Sequence, residues 1–227
     1  MKFVFPLKQV SLPIVGSEDQ FPVRRIYCVG RNYLEHIRET AGADEREPPF
    51  FFQKPTDAIL ENGGKFPYPP MSDKTHHEIE LVVAIGKGGK SIEAQNALDH
   101  VYGYGVGIDM TRRDLQSDAK DLRRPWEVGK AFDYSAPCSA ISPAGDIGHP
   151  DKGRIWLAVN GTLRQDGDLE QQIWNVPESI AHLATFFELL PGDLIMTGTP
   201  AGVGSVQAGD EITGGIVGIG EIKIIIV

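Results

Sequence analysis

Glycine and proline cut this chain into short segments. The 227 residues include 26 glycines and 16 prolines, scattered singly and in pairs. Many of the segments between them are rich in valine and isoleucine, a pattern that favours strands. We predict strands at residues 25–30, 49–54, 78–86, 154–161, 193–198 and 221–227, with Asn160 and Gly161 forming a hairpin turn.

Helical patterns are fewer. We predict helices over residues 32–40, from Ser91 to residue 101 with Ser91 as the N-cap, and from Ser179 to residue 190, ahead of a proline–glycine stop. No linker separates two halves of the chain. The pattern therefore predicts one domain, residues 1–227, mainly β with helices packed around it, and residues 1–22 as an N-terminal extension packed on that domain.

The charge of the chain argues against two classes of partner. Lysine and arginine number 22 against 31 aspartates and glutamates, a formal net charge of -9, so the protein repels nucleic acid and anionic membranes. Only Cys28 and Cys138 are present, which is too few for a disulfide framework and suits a reducing compartment. We find no apolar run long enough for a membrane span or a signal peptide, and the expected location is the cytoplasm.

Two acidic residues open the apolar stretch THHEIELVVAIG, residues 75–86. Side chains alternate in a strand, so Glu78 and Glu80 share a face with Val82 and enter a low-dielectric region together. An arbitrary pair of this kind is usually a solvated strand start. The functional alternative is a divalent metal site, which needs a third oxygen ligand, and Asp109 is a candidate although an isolated aspartate there is more often a turn or cap residue.

Three motifs in order, EIELVVAIGK, GIDMTRRDLQ and IMTGTPAGVG, resemble the fumarylacetoacetate hydrolase family, and the resemblance runs from about Arg24 to the C-terminus. RIYCVGRNYLEHIRE and RPWEVGKAFDYSAP are similar to its short acylpyruvate hydrolase group. The resemblance implies a mixed β-sheet roll, a homodimer, and a bound Mg²⁺ or Mn²⁺. It also implies metal-dependent hydrolysis of the carbon–carbon bond of a 2,4-dioxo acid, such as fumarylpyruvate to fumarate and pyruvate, in gentisate-type aromatic catabolism.

The resemblance also assigns roles to individual residues. The implied metal ligands are Glu78, Glu80 and Asp109; the implied catalytic residues are Lys130, His36 and Glu39; the implied substrate contacts are Gln116, Gly198 and Thr199. His36 lies three residues before Glu39, so on a helical turn the carboxylate can orient the imidazole as a general base that activates water. The anionic substrate also needs cations nearby, for which Arg31 and Lys54 are candidates.

Several alternatives stay open at this level. The same metal site could serve oxaloacetate decarboxylation or a 2-oxo acid isomerase or hydratase, and a catalytically silent protein could share the fold. The acyl group of the substrate is also open. Four arginines, Arg112, Arg113, Arg123 and Arg124, are typical of a solvated face or lid, but one of them could bind the far carboxylate of a dicarboxylic substrate.

Overall fold

The computed structural model of the protein describes residues 4–6, 8–35 and 46–227. Within these residues strands dominate, and they are numbered here in chain order. They are β1 (Ser11–Pro13), β2 (Gln20–Pro22), β3 (Arg25–Gly30), β4 (Phe50–Lys54), β5 (Ile59–Glu61), β6 (Lys65–Phe66), β7 (Thr75–His77), β8 (Ile79–Ile85), β9 (Val101–Ile108), β10 (Thr111–Arg112), β11 (Ala136–Cys138), β12 (Ser142–Pro143), β13 (Arg154–Val159), β14 (Thr162–Asp168), β15 (Asp193–Met196), β16 (Gly204–Ser205), β17 (Glu211–Ile216) and β18 (Gly220–Ile226).

Helices connect some of the strands. The α-helices are α1 (Arg113–Asp121), α2 (Glu127–Lys130), α3 (Ala144–Ile147) and α4 (Val176–Phe186). Short 3₁₀ helices span Thr56–Ala58, Ala94–His100 and Leu169–Gln171. The helix predicted over residues 32–40 falls largely outside the described residues.

The largest sheet is mixed. Its strand order is β4-β3-β15-β8-β9-β11-β5, with β12 also paired to β9. β15 runs parallel to β3, and β11 runs parallel to β5, while β8 and β9 are antiparallel. A second sheet of order β14-β13-β17-β18-β6 packs against it. This architecture confirms the predicted mixed β-sheet roll.

Two hydrophobic clusters lie on opposite faces of β8, which is buried along its whole length. Leu81 and Val83 belong to the larger cluster, which fills the space towards the second sheet and α4. Val82 and Ala84 belong to the smaller one. The predicted alternation along this strand is therefore confirmed, and it leaves Glu80 on the side of the smaller cluster.

The N-terminal residues pack on the smaller cluster. β1 and β2 form an antiparallel hairpin whose Leu12 and Phe21 are buried there. Ile14 bridges Ile141, and the amide of Val15 donates to the carbonyl of Ile141 over 2.9 Å. These contacts anchor the segment to the central sheet.

Local patterns located some boundaries well and others poorly. Asn160 and Gly161 both have positive φ, +50° and +75°, and join β13 to β14 as the predicted hairpin turn. The predicted N-cap at Ser91 is wrong: Ser91 has φ +52° and its amide bonds to a carbonyl of α4, so the following helix starts only at Ala94. α4 starts three residues before the predicted Ser179, because Asn175 and Glu178 form a capping box, and it ends at Phe186 rather than at residue 190.

Candidate metal centre and substrate cavity

The pairing of β8 with β9 brings three acidic residues together. Glu80 lies opposite Gly107, and the amide of Asp109, just beyond β9, donates to the carbonyl of Glu78 over 2.8 Å. The ligating oxygens of Glu78, Glu80 and Asp109 lie within 4.8 Å of one another. All three residues are buried, with 4%, 2% and 1% of their surface exposed. Such a cluster needs cations, because carboxylates are costly to bury and repel each other.

Lys130, at the end of α2, supplies one of these cations. Its Nζ donates to Glu78 Oε2 over 2.9 Å, to Asp109 Oδ2 over 2.6 Å and to Thr111 Oγ1 over 2.7 Å. Burial opposes its charge, but the carboxylates of Asp109 and Glu78 outweigh burial and raise the pKa of Lys130. This lysine is therefore a fixed ammonium at neutral pH, with all three donors engaged.

Lys54, from the end of β4, is the second cation. Its Nζ lies 2.8 Å from Asp109 Oδ1 and donates to the carbonyl of Met110 over 3.2 Å. It also donates to the carbonyl of Lys130. Lys54 thus links the metal-site aspartate to the backbone that carries Lys130.

Arg113, on the first turn of α1, is the third cation. It donates to Glu78 Oε1, and its Nη1 donates to Gln116 Oε1 over 2.6 Å. Because the amide oxygen of Gln116 accepts this bond, its Nε2 is the end that can donate towards the cavity. Among the four arginines left without a role by the sequence, Arg113 is thus the one that contacts the centre.

The backbone after β15 holds the remaining carboxylate. The amide of Gly198 donates to Glu80 Oε2 over 2.7 Å. Burial, together with Asp109, raises the pKa of Glu80 well above its ordinary value. Gly198 has φ +92°, and a Cβ there would lie 2.7 Å from Cβ of Asn32, so only glycine fits at this point of the backbone.

A buried polar chain positions Thr199. Gln165 Nε2 donates to Thr199 Oγ1 over 2.8 Å, and Gln165 Oε1 accepts from the backbone amide of Ile79 over 3.1 Å. His77 Nδ1 lies 2.9 Å from the same Oε1. His77 points away from the carboxylates, as the strand alternation predicts, but its contact with Gln165 supports the wall that carries Thr199.

A cavity of about 430 Å³, part of it open to solvent, adjoins the carboxylates. The predicted site residues that line it are Arg31, Glu78, Glu80, Asp109, Gln116, Lys130, Gly198 and Thr199. Its other lining residues include Phe52, Arg113, Lys120 and Trp126. Of the eleven residues proposed from the sequence, eight therefore line the cavity, and Lys54 lies next to it, in contact with Asp109. His36 and Glu39 lie outside the described residues.

The sequence assigned no individual role to Arg113 or Lys120 on α1. Arg113, Gln116 and Lys120 are spaced by three and four residues, so they share one face of this helix. All three line the cavity. That spacing is visible in the sequence RRDLQSDAK, but no strong apolar face marks this segment as a helix, and the signal was therefore missed.

The donor set suits a divalent cation. Three carboxylates offer the hard oxygen ligands that Mg²⁺ and Mn²⁺ prefer. Asp109 Oδ1 accepts no directed hydrogen bond from the described residues, although Lys54 Nζ lies 2.8 Å away, so it keeps lone pairs that a cation can use. Of the described part of the chain, Glu78, Glu80 and Asp109 form the group of acidic, histidine or cysteine side chains placed to hold a metal ion.

A buried carboxylate centre that opens into a cation-lined cavity is typical of metal-dependent enzymes acting on small anionic substrates. The comparisons with known proteins give the family. The chain belongs to the fumarylacetoacetate hydrolase family, since the family's sequence model for the fumarylacetoacetate hydrolase C-terminal region matches residues 25–227.

Three relatives illustrate the range of activities. The structure of fumarylpyruvate hydrolase from Pseudomonas aeruginosa, in complex with Mn²⁺ and pyruvate, is 51% identical, with a TM-score of 0.98 over 100% of this chain and 99% of that one. A fumarylpyruvate hydrolase from a Ralstonia species is 46% identical over 78% of this chain and 92% of that relative. The mitochondrial oxaloacetate tautomerase of Arabidopsis thaliana is 42% identical over 88% of this chain and 89% of that relative.

No helix among residues 4–6, 8–35 and 46–227 combines the length and the apolar character needed to cross a membrane.

Proposed function

We propose that this protein hydrolyses the carbon–carbon bond of an acylpyruvate, with fumarylpyruvate as the substrate and fumarate and pyruvate as the products. The observation that carries the proposal is the buried Glu78, Glu80 and Asp109 centre, held by Lys130 and Arg113 at the base of the cavity. The similarity of the whole chain to a fumarylpyruvate hydrolase bound to Mn²⁺ and pyruvate supports the choice of substrate.

Glu78, Glu80 and Asp109 would hold the Mn²⁺ or Mg²⁺. When bound, the metal supplies a Lewis acid that polarises the 2-oxo acid end of the substrate and neutralises charge there. The net charge of the protein groups suits this role: once the metal is bound and Glu80 is ionised, three carboxylates are matched by three cations among the described residues, Lys54, Lys130 and Arg113. A dication and a dianionic substrate then add no net charge to the buried centre.

Lys130 acts as an electrostatic group rather than as a base. Its pKa is raised, so it has no free lone pair at neutral pH to take a proton or to attack a carbonyl. Its ammonium lies beside two of the metal-site carboxylates, where it can stabilise the negative charge of an enolate leaving group. Gln116, oriented by Arg113, presents an amide donor to the same region.

The water-activating step is assigned to His36 and Glu39, on the resemblance to the family. His36 takes a proton from water as the water oxygen adds to the acyl carbonyl carbon. The bond from that carbon to the pyruvate methylene then breaks, and its electron pair forms the enolate of pyruvate. The protonated imidazole returns its proton to the methylene carbon, which gives pyruvate and the free carboxylic acid.

The assembly and the cellular setting belong to the same proposal. We assign a single domain, a homodimer, a cytoplasmic location and a role in aromatic catabolism. Leu122 and Val128, 57% and 60% exposed around α2, offer apolar surface for a subunit contact. Cys28 and Cys138 are buried free thiols, which suits a reducing compartment. Light scattering of the purified protein tests the dimer.

A second candidate function is tautomerisation or decarboxylation of oxaloacetate. The observation in its favour is that enolate stabilisation by the same centre serves both reactions, and a tautomerase relative is 42% identical. Hydrolysis differs in needing an activated water. His36 therefore separates the two functions.

The test is a coupled assay of pyruvate release from fumarylpyruvate, acetylpyruvate and oxaloacetate, with Mn²⁺ and after chelation by EDTA, together with the ultraviolet absorbance of the oxaloacetate enol, because tautomerisation releases no pyruvate. We expect metal-dependent turnover that is fastest on fumarylpyruvate and is lost in His36→Ala. Turnover confined to oxaloacetate, and undiminished in His36→Ala, would contradict hydrolysis and favour the second candidate. Thermal unfolding of the variant serves as the folding control.

A further inference from the structure

The cations around the cavity fall into two sets. Lys130, Lys54 and Arg113 each contact a carboxylate of the metal centre. Lys120 and Arg31 also line the cavity, but neither makes an ion pair within the part of the chain that the structure describes. Arg31 lies over the ring of Phe50, 5.9 Å from Cζ to the centroid, and Lys120 lies over the ring of Trp126, 5.4 Å from Nζ to the centroid. This lysine is therefore not needed to balance the buried carboxylates.

An aromatic wall joins Lys120 to the metal centre. Lys130 Nζ lies 5.1 Å from the ring of Phe52, and the rings of Phe52 and Trp126 are 5.9 Å apart. Along this wall the contacts run in the order Lys130, Phe52, Trp126 and Lys120. The two ring planes are inclined at 58°, so the wall is angled rather than flat, and a conjugated chain that follows it would have one cation at each end.

The distance along α1 suits a short dicarboxylate. Gln116, beside the centre, and Lys120 are four residues apart, so their Cβ atoms are separated by about 5–6 Å along one helix face. In extended fumarylpyruvate five carbon–carbon bonds separate the 2-oxo carbon from the distal carboxylate carbon, roughly 6 Å at the advance per bond of an extended chain. A substrate whose 2-oxo group is at the metal centre therefore ends near Lys120.

We propose that Lys120 is the specificity-determining residue for the acyl group: its ammonium binds the distal carboxylate of a dicarboxylic acylpyruvate, whose conjugated chain lies on Phe52 and Trp126. This inference rests on the proposed function and assigns the substrate class that the sequence left open. A neutral acyl group, such as acetyl, leaves Lys120 without a partner.

The electrostatics of the cavity agree with this role. Burial, followed by Arg113 and Arg31, lowers the pKa of Lys120. The positive charge of this half-buried lysine is thus disfavoured while the cavity holds no further anion, and an incoming carboxylate removes that disadvantage.

The test compares substrates that differ only in the acyl end. In Lys120→Gln we expect kcat/KM for fumarylpyruvate to fall by about 10- to 100-fold, mainly through KM, because a charge-assisted bond remote from the reacting carbon is lost. The value for acetylpyruvate should stay within about 3-fold of wild type. Lys120→Arg keeps the charge and should recover most of the loss. Lys87→Gln, at an exposed lysine in a turn, is the matched control.

Product inhibition gives a second readout that does not depend on the chemical step. Fumarate should inhibit Lys120→Gln more weakly than wild type, whereas pyruvate should inhibit both equally. An unchanged ratio of the two substrates in Lys120→Gln overturns the inference while leaving hydrolysis intact. The same holds if Arg31→Gln, at the other cavity cation that makes no ion pair among the described residues, shifts the ratio and Lys120→Gln does not. A wild-type protein that hydrolyses neither substrate overturns the proposed function and this inference with it.

Discussion

Replacing Lys130 by methionine removes a buried ammonium while keeping a side chain of similar length. Glu78 and Asp109 lose the bonds of 2.9 and 2.6 Å, and Thr111 loses the bond of 2.7 Å. Breaking a buried ion pair costs about 3–5 kcal/mol. Because Arg113 still contacts Glu78 and Lys54 still contacts Asp109, we expect a loss near the lower end, about 3 kcal/mol, in the free energy of unfolding of the metal-free protein.

Mn²⁺ should reduce this loss. A dication among the same carboxylates takes over their charge compensation, and only the hydroxyl bond to Thr111 and some packing remain lost, about 1 kcal/mol. The difference of about 2 kcal/mol must appear as tighter metal binding, since the four states form a closed cycle. Lys130→Met should therefore bind Mn²⁺ roughly 30-fold more tightly than wild type. Its turnover should nevertheless fall, because the enolate loses its ammonium.

The assay is urea unfolding of both proteins with EDTA and with saturating Mn²⁺, together with calorimetric titration of Mn²⁺. Lys223→Met is the matched control: its partner Glu211 lies 2.8 Å away, but the two side chains are 55% and 43% exposed. That exposed pair should cost less than about 1 kcal/mol and show no Mn²⁺ dependence. Equal destabilisation of Lys130→Met with and without Mn²⁺, or weaker Mn²⁺ binding, would refute the reasoning.

Three further predictions test the centre and its frame. Burial raises the pKa of Glu80 in the folded protein, so the stabilisation from its proton is fully present below the pKa of the unfolded chain and is lost as pH rises through the pKa of the folded protein. Relative to Glu80→Gln, the metal-free wild type should therefore lose stability with rising pH on urea unfolding. A parallel pH dependence of the two proteins would contradict this. Gly198→Ala places a Cβ 2.7 Å from Asn32 and should weaken Mn²⁺ binding on titration. Its control is Gly161→Ala, also at positive φ but with open space around it, which should lower the free energy of unfolding by about 1–2 kcal/mol and leave Mn²⁺ binding unchanged. Equal Mn²⁺ affinities in both variants would count against the role of Gly198. Asn175→Ala removes the cap of α4 and should cost about 1 kcal/mol on thermal unfolding without changing KM, and a change in KM would link this helix to the cavity.

The sequence by itself determined the features that depend on neighbouring residues. Alternation along β8 follows from strand geometry, so the shared face of Glu78 and Glu80 could be predicted. The strand itself is interrupted at Glu78, and β7 before it joins another sheet. The hairpin at Asn160 and Gly161 follows from the backbone preferences of those two residues. For Asp109, local sequence allowed both a metal ligand and a turn or capping residue, and only the resemblance to the family favoured the metal ligand.

Tertiary structure decided the contacts between distant segments. Lys54 reaches Asp109 from 55 positions earlier in the chain, and only the packing of β4 beside α2 brings it there. Of the four arginines in the basic stretch, packing selected Arg113 because the first turn of α1 starts next to the carboxylates. Local sequence could not supply these pairings, because they depend on where separate elements meet in three dimensions. The same packing set Lys120 against Trp126 on the cavity wall, which no spacing in the sequence alone reveals.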